Sequence, residues 1–189
     1  MTELEKYIQS YFGASNDDLA KISSFFKPAT FRKGDYYLKT GIQSNRLGFV
    51  QSGIFREFVQ IDNKEVTKWI STKGYFIVDL SGFYFDVPAR WNIQALEDSE
   101  VYIIDKVDYG KIGNLVPRWA ELEKLFIAKC FTVLEERVIS HLSKSAEERY
   151  RQLFDFNKDL FNQVPLQYLA SMLGMTPETL SRLRKKDAG

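Results

Sequence analysis

Residues 166–186 have the sequence LQYLASMLGMTPETLSRLRKK, which predicts two short helices joined by a tight turn. Four residues recur at helical spacing and give the first helix one apolar face: Leu166, Leu169, Ala170 and Leu173. Gly174 follows where a helix often ends in a left-handed residue, a conformation that glycine adopts at little cost. Thr176 can cap the second helix, and Pro177 suits its first position, where the missing N–H costs nothing.

The second helix has an apolar inner face, because Leu180 and Leu183 turn back toward the first helix. A pair of this kind is a helix-turn-helix, which lays its second helix in the major groove of DNA. The alternative is a helical hairpin that only covers a core. We favour DNA binding, because the first turn carries hydrogen-bonding groups and a basic run follows it. The residues expected to contact DNA are Thr176, Glu178, Thr179, Ser181, Arg182, Arg184, Lys185 and Lys186.

The charge of the chain is nearly balanced. Its 189 residues include 26 lysines and arginines against 25 aspartates and glutamates, a net charge of +1. No general attraction to nucleic acid follows from this balance, so any DNA contact must come from a local patch. The basic excess after Pro165 is small, which predicts weak binding by a monomer and a need for dimerisation.

The composition indicates a cytoplasmic protein with one or two domains. A hydrophobic content of 44% in 189 residues is enough for a substantial core. The sequence has no apolar run that could span a bilayer and no signal peptide, so we expect no membrane association. A single cysteine, Cys130, excludes an internal disulfide and fits a reducing compartment.

The rest of the chain divides into helical and β segments. Residues 4–26 hold helical spacing with a break at 13–16. From Thr30 to about Ile104, short runs of valine, isoleucine, phenylalanine and tyrosine alternate with turn residues, which predicts a β-sandwich or β-roll. Within it, residues 56–61 and 66–70 flank a turn and predict a hairpin.

A long helix is expected to follow the β segment. It begins near Pro117 and ends near Leu142. It is apolar on more than one side, so it should bury two faces, one on the β-roll and one against a second copy of itself. An ordinary central helix of a monomer is the alternative. The residues expected at the dimer interface are Leu122, Phe126, Lys129 and Val133. The sequence thus divides into residues 1–115, 116–143 and 144–189.

These segments resemble the Crp/Fnr family of bacterial transcription regulators, over essentially the whole chain. The β half carries FRKGD at 31–35 and GYF at 74–76, and the C-terminal half carries AEERY at 146–150 and LGMTPETLSR at 173–182. The latter two resemble a subgroup found in Bacteroidetes. The resemblance implies an α+β fold: an N-terminal antiparallel β-roll of the cyclic-nucleotide-binding type, a long dimerisation helix, and a small helix-turn-helix domain without a full wing.

The resemblance also implies partners and roles. It implies a homodimer that binds an inverted-repeat operator in double-stranded DNA and can contact RNA polymerase, and it implies no enzymatic activity. Glu178 and Arg182 correspond to base-reading positions, which suits a carboxylate facing cytosine and a guanidinium facing guanine. Pro177 stands where relatives carry another arginine, so one base contact is expected to be lost.

The effector segment departs from the family pattern. The family's cassette runs Gly-Glu-Leu and later Arg-Ser or Arg-Thr, and it holds a cyclic phosphate with backbone N–H groups and an arginine. The aligned run here is VDL at 78–80, and the arginine position falls on Ala89 or, after a shift of one residue, on Arg90. We expect no standard binding of cyclic AMP. The degenerate effector pocket comprises Val78, Asp79, Leu80, Arg90 and Trp91.

Other chemistry is limited by composition. An iron–sulfur sensor needs about four cysteines, and a metal-binding β-roll enzyme needs several histidines, whereas His141 is the single histidine. We expect no metal and no cofactor, although an unidentified small-molecule effector stays open. The nearby aromatic residues 83–85 and Trp91 suit a ring-bearing ligand or a pocket filled by its own side chains. The alternative function is a nucleotide-sensing, small-molecule-sensing or protein-interaction module whose DNA binding has decayed.

Overall fold

The computed structural model describes residues 1–187. These residues form two compact units. The first comprises Met1–Glu57 and Ile70–Phe131, and the second comprises Phe58–Trp69 together with the described residues from Thr132 onward. Nothing in the sequence indicates that Phe58–Trp69 joins the second unit. The division into residues 1–115, 116–143 and 144–189 stays a prediction.

Helices and strands follow one another in the order expected for an α+β chain. The first part contains α1 Glu3–Phe12, α2 Asn16–Ser23, β1 Lys27–Phe31, β2 Tyr36–Leu38, β3 Arg46–Ser52, β4 Phe55–Ile61, β5 Lys64–Ser71, β6 Phe76–Ile77 and α3 Leu80–Phe85. It continues with β7 Asn92–Ala95, β8 Ser99–Asp105, α4 Lys106–Leu115, α5 Trp119–Ser143, α6 Ala146–Phe156, α7 Leu160–Gln163, α8 Leu166–Met172 and α9 Pro177–Asp187.

The strands form two four-stranded sheets, with orders β1-β8-β3-β6 and β2-β7-β4-β5. β8 pairs antiparallel with both β1 and β3, as the turn-rich β segment predicts. Aromatic and aliphatic side chains, among them Tyr37, Phe55 and Val101, pack into one buried cluster within this segment. The antiparallel β domain of the predicted fold is therefore confirmed, and a large part of its interior is occupied by its own side chains.

The hairpin between β4 and β5 is longer than the sequence predicts. Its turn is made by two residues, Asp62 and Asn63, and Asp62 has a φ of 51°. β5 therefore begins at Lys64 rather than at Val66. Within the second unit, the Ser171 hydroxyl accepts a hydrogen bond from the Thr67 N–H at 2.9 Å. This bond joins the outer part of the hairpin to α8.

The first half of α5 packs into the core of the first unit. Phe126 is 0% exposed, and its ring stacks on Phe12 with centroids 4.5 Å apart. Leu122 is buried in the same cluster. Lys129 donates a hydrogen bond to the Ser10 carbonyl. The prediction that Leu122 and Phe126 contact a second copy is therefore wrong, because their side chains fill the protomer's own core.

Four of the exposed apolar residues of α5 form a stripe that differs from the predicted interface. Spacings of three and four residues place them on one side of the helix: Phe131, Leu134, Val138 and Leu142. Val133, of the predicted interface, is also exposed. Of the predicted interface, Leu122 and Phe126 are thus buried in the protomer, whereas Lys129 and Val133 are exposed.

The turn between α8 and α9 is held by side-chain donors. Gly174 has a φ of 64°, the left-handed conformation expected for it. The Arg149 guanidinium donates to the carbonyls of Lys144 at 2.6 Å and Leu173 at 2.8 Å. Arg137 donates to the Met172 carbonyl at 3.0 Å. The donors to Met172 and Leu173 satisfy carbonyls that the end of α8 leaves without helical partners, and Arg149 also contacts Lys144, which follows α5.

We predict that Arg149→Ala destabilises the second unit. The change removes charge-assisted hydrogen bonds to two carbonyls, so the free energy of unfolding should fall by about 1.5–3 kcal/mol. Urea denaturation followed by circular dichroism measures this value. Arg151→Ala is the matched control, because Arg151 makes an exposed ion pair with Glu147 and should cost at most about 0.5 kcal/mol. Equal effects of the two variants would contradict the role given to Arg149.

Candidate nucleic-acid interface and effector site

The outer face of α9 forms a shallow polar groove. Its lining residues are Pro177, Glu178, Ser181, Arg182 and Lys185. Glu178 and Arg182 lie one helical turn apart, and both side chains are exposed. On the opposite side, Leu180 and Leu183 are buried, as the apolar pattern predicts. The groove therefore offers one carboxylate and two cations on a face that the protein's own core does not use.

The two threonines at the start of α9, Thr176 and Thr179, form a hydrogen bond that caps the helix. The Thr176 hydroxyl accepts a hydrogen bond from the Thr179 N–H at 3.2 Å, as an N-terminal cap does. Hydrogen bonds from its own backbone N–H and from the Thr176 hydroxyl hold the pKa of Glu178 below its usual value. Glu178 is therefore a carboxylate at neutral pH and can act only as a hydrogen-bond acceptor.

The basic residues at the end of α9 do not form one cluster. The Lys186 ammonium lies 3.1 Å from a carboxylate oxygen of Glu147, and the Arg184 guanidinium lies over the Phe161 ring at 5.9 Å. Only Lys185 of the three lines the groove with Arg182. The structure therefore separates Arg184 and Lys186 from the polar face, because each has a partner on another helix of the same unit.

Sequence reasoning missed the two arginines that hold the α8–α9 turn. Arg137 and Arg149 lie 35 and 24 residues from the carbonyls that they contact. Their partners are backbone atoms, which carry no residue type that a sequence pattern can detect. No local spacing could therefore have identified them.

The predicted effector residues do not converge on a common pocket. Val78 is buried in the core of the first unit, and Leu80 packs against the same core. Arg90 has an exposed side chain, and Trp91 is half-buried. The grouping of these residues as pocket-lining side chains is therefore corrected, because two of them face the protein core.

Asp79 is the exception, since its carboxylate lies where backbone donors converge. The side chain is 2% exposed. Its Oδ1 accepts the Gly82 N–H at 2.9 Å, and its Oδ2 accepts the Arg90 N–H at 2.8 Å. Both oxygens of this carboxylate are therefore engaged by the chain's own backbone.

The aromatic side chains of residues 83–85 lie in different environments. Phe83 is buried, with its ring edge-on to Tyr109 at 5.2 Å. The Tyr84 hydroxyl donates to Glu123 at 3.0 Å, and burial raises the pKa of Tyr84. Phe85 is 76% exposed. The expectation that these rings could share one aromatic ligand is not met, because consecutive helical residues face different directions.

The residues of this segment differ from the family's phosphate-binding pattern. Ala89, at the position of the family's arginine, is buried and carries no cation. The Arg90 N–H, which could donate to a phosphate, already donates to Asp79. A second anion beside this buried carboxylate would be repelled at short range.

The first part of the chain is similar to a known protein family. Residues 28–113 match the family model described as cyclic nucleotide-binding domain. Residues 28–113 are therefore similar to cyclic nucleotide-binding domains, and further helices follow them. A comparison with curated protein sequences finds no significant match.

Several solved structures share the fold over most of the chain. The catabolite activator protein of Thermus thermophilus is 20% identical, covers 96% of this chain and 86% of its own, and gives a TM-score of 0.59. FixK2 of Bradyrhizobium japonicum is 17% identical, with coverage of 85% and 83% and a TM-score of 0.70. The c-di-GMP responsive global regulator CLP of Xanthomonas campestris is 15% identical, with coverage of 91% of each chain and a TM-score of 0.69. The fold is therefore Crp-like.

Within residues 1–187, no helix is both long enough and apolar enough to cross a membrane. The same range holds no group of three or more histidine, cysteine, aspartate or glutamate side chains placed to hold a metal ion.

Proposed function

We propose that this chain is a dimeric DNA-binding transcription regulator of the Crp/Fnr type. The observation that carries the proposal is the polar groove of α9, where Glu178, Arg182 and Lys185 are exposed on one face. Arg137 and Arg149 donate hydrogen bonds to the end of α8, just before the turn that leads into α9. The Crp-like fold supports this assignment, and the activity is regulation rather than enzymatic catalysis.

The groove residues divide by chemistry into base readers and phosphate partners. The Arg182 guanidinium can donate two hydrogen bonds to guanine, and the Glu178 carboxylate can accept a hydrogen bond from the amino group of cytosine. Lys185 on the same face is suited to neutralise a phosphate. Arg184 and Lys186 contribute less, since each is already engaged within the protein.

The dimer is proposed to form through the exposed stripe of α5, which comprises Phe131, Leu134, Val138 and Leu142. An isologous pairing of this stripe would remove four large apolar side chains from water in each copy. Two copies present two recognition helices, which suits an inverted-repeat operator. Contact with RNA polymerase and a location in the cytoplasm belong to the same proposal.

We predict that cyclic AMP does not bind this chain with useful affinity. The Ala89 side chain supplies no cation, and the Arg90 N–H already donates a hydrogen bond to the Asp79 carboxylate. Isothermal titration of the purified protein with cyclic AMP should give no saturable heat. A dissociation constant in the low micromolar range would overturn the prediction.

The second candidate function is a sensing or interaction module whose DNA binding has decayed. A gel-shift assay with duplex DNA from upstream of the chain's own coding sequence separates the two candidates. The regulator should retard this DNA at lower protein concentration than an equal length of shuffled sequence. Equal retardation of both DNAs at every salt concentration would favour the decayed module.

A further inference from the structure

A serine of α8 lies against the outer edge of β5. Among the described strands, β5 ends the sheet order β2-β7-β4-β5, so one of its edges has no strand partner. The Ser171 hydroxyl accepts a hydrogen bond from the Thr67 N–H at 2.9 Å and donates one to the Glu65 carbonyl at 3.4 Å. One side chain of α8 therefore contacts two backbone groups of this edge.

The two contacts reproduce the pattern of a parallel strand pair. Residues 65 and 67 are two apart in β5, so their backbone groups face the same edge. In a parallel pair, one residue of the neighbouring strand accepts from such an N–H and donates to such a carbonyl. The Ser171 hydroxyl does both with a single oxygen, and α8 thereby covers an edge that could otherwise pair with another chain.

Burial makes the contact at Thr67 informative. Thr67 is 2% exposed, and a backbone N–H that is withdrawn from water needs a hydrogen-bond acceptor. The Ser171 hydroxyl supplies one within the second unit. Ser171 is absent from the lining of the α9 groove, so any effect of this residue on DNA binding would be indirect.

Arg137 joins the same two elements a second time. Its guanidinium lies 5.0 Å from the centroid of the Trp69 ring, within the range of a cation–π contact. The same side chain donates to the Met172 carbonyl at 3.0 Å. Met172 directly follows Ser171, so two adjacent residues at the end of α8 are connected to β5. The helix that carries the polar groove, α9, begins five residues later, at Pro177.

We propose that the outer edge of β5 positions the α8–α9 pair, and that Ser171 is a positioning residue for DNA binding. The outer part of the β4–β5 hairpin is then a component of the DNA-binding unit, although it lies about a hundred residues earlier in the sequence. A change in this hairpin would alter DNA binding without a contact to DNA. This inference rests on the proposed function.

The experiment compares three variants with the wild-type protein. Ser171→Ala removes the hydroxyl, and Ser171→Thr keeps a hydroxyl that can both donate and accept. Ser143→Ala is the matched control, because the Ser143 hydroxyl donates only within its own helix, to the Ile139 carbonyl at 2.7 Å. Amide hydrogen exchange at Thr67 and affinity for the DNA site preferred by the wild type are measured at a temperature where all four proteins are folded.

We expect faster exchange of the Thr67 amide in Ser171→Ala, because the amide loses its acceptor. The affinity of this variant for DNA should fall by about 2- to 10-fold, a loss limited by the net free energy of the missing hydrogen bonds. Ser171→Thr and Ser143→Ala should resemble the wild type in both measurements. Rescue by threonine separates loss of the hydroxyl from a general effect of substitution.

Two results would overturn the inference. Unchanged exchange at Thr67 in Ser171→Ala would show that the serine does not hold the β5 edge. Unchanged or tighter DNA binding by a variant with faster exchange would show that the contact does not position α9 for DNA. Failure of the proposed function would give a different result, in which the wild type binds no specific site while its Thr67 amide stays protected.

Discussion

Phe126→Glu should unfold the first unit of this chain, whereas Leu134→Glu should dissociate the proposed dimer and leave the fold intact. Phe126 is fully buried between Phe12 and Phe76, with ring centroids 4.5 and 5.1 Å away. Even truncation of such a residue to alanine costs about 3–5 kcal/mol. A glutamate adds the cost of burying an unpaired carboxyl group.

Leu134 lies on the outer stripe of α5 and is 52% exposed. Glutamate is a good helix former, so the helix should persist. In the dimer, however, a charge on each copy would be buried at an apolar contact without a partner. Sedimentation at micromolar concentration should therefore give a folded monomer for Leu134→Glu and a dimer for the wild type.

Each of these variants is the control for the other, since both place glutamate on α5. Circular dichroism and urea denaturation report the fold, and sedimentation reports the assembly. If Phe126→Glu were a folded monomer and Leu134→Glu a dimer, Phe126 rather than Leu134 would lie at the dimer interface. This result would also show that the outer stripe serves another purpose.

Arg182→Ala should weaken binding to the preferred DNA site by about 1–3 kcal/mol, which is about 5- to 150-fold in affinity. The loss of specificity should be concentrated at one base pair of each half-site, because a bidentate contact to guanine discriminates against the other bases. Enrichment of random duplex DNA by the wild type and by the variant measures this preference position by position. The same preference at every position for both proteins would exclude Arg182 as a base reader.

Two lysines supply the matched comparison. Lys185→Ala should weaken binding to all sequences about equally and reduce the salt dependence, as expected for a phosphate contact. Lys186→Ala should have a smaller effect, because its ammonium is paired with Glu147 at 3.1 Å. A larger loss for Lys186 than for Lys185 would contradict the assignment of the groove as the DNA-facing surface.

Local signals in the sequence predicted local structure well. The turn glycine, Gly174, and the cap, Thr176, have the conformation and the hydrogen bond that their residue types favour. The antiparallel β segment follows from alternating apolar residues and turn residues, and solved structures with a Crp-like fold support it. At Gly174 and Thr176 the determining interactions lie within a few residues of each other, where residue type alone restricts the backbone.

The failures all depend on distant contacts. Helical spacing showed that α5 has two apolar faces, but the choice between them depends on where Phe12 and Phe76 lie. The engagement of Asp79 depends on a backbone N–H eleven residues away. No spacing or motif in the sequence identifies either partner. The buried face of α5 and the hydrogen bonds of Asp79 could therefore be determined only from the folded structure.

The most direct test of the regulator assignment is a selection of binding sites from random duplex DNA with the full-length wild-type protein. We predict enrichment of an inverted repeat whose half-sites lie about 34 Å apart, one helical turn, or a multiple of that distance. The enrichment should require no added cyclic nucleotide. A folded, dimeric protein that enriches no inverted repeat would contradict the assignment.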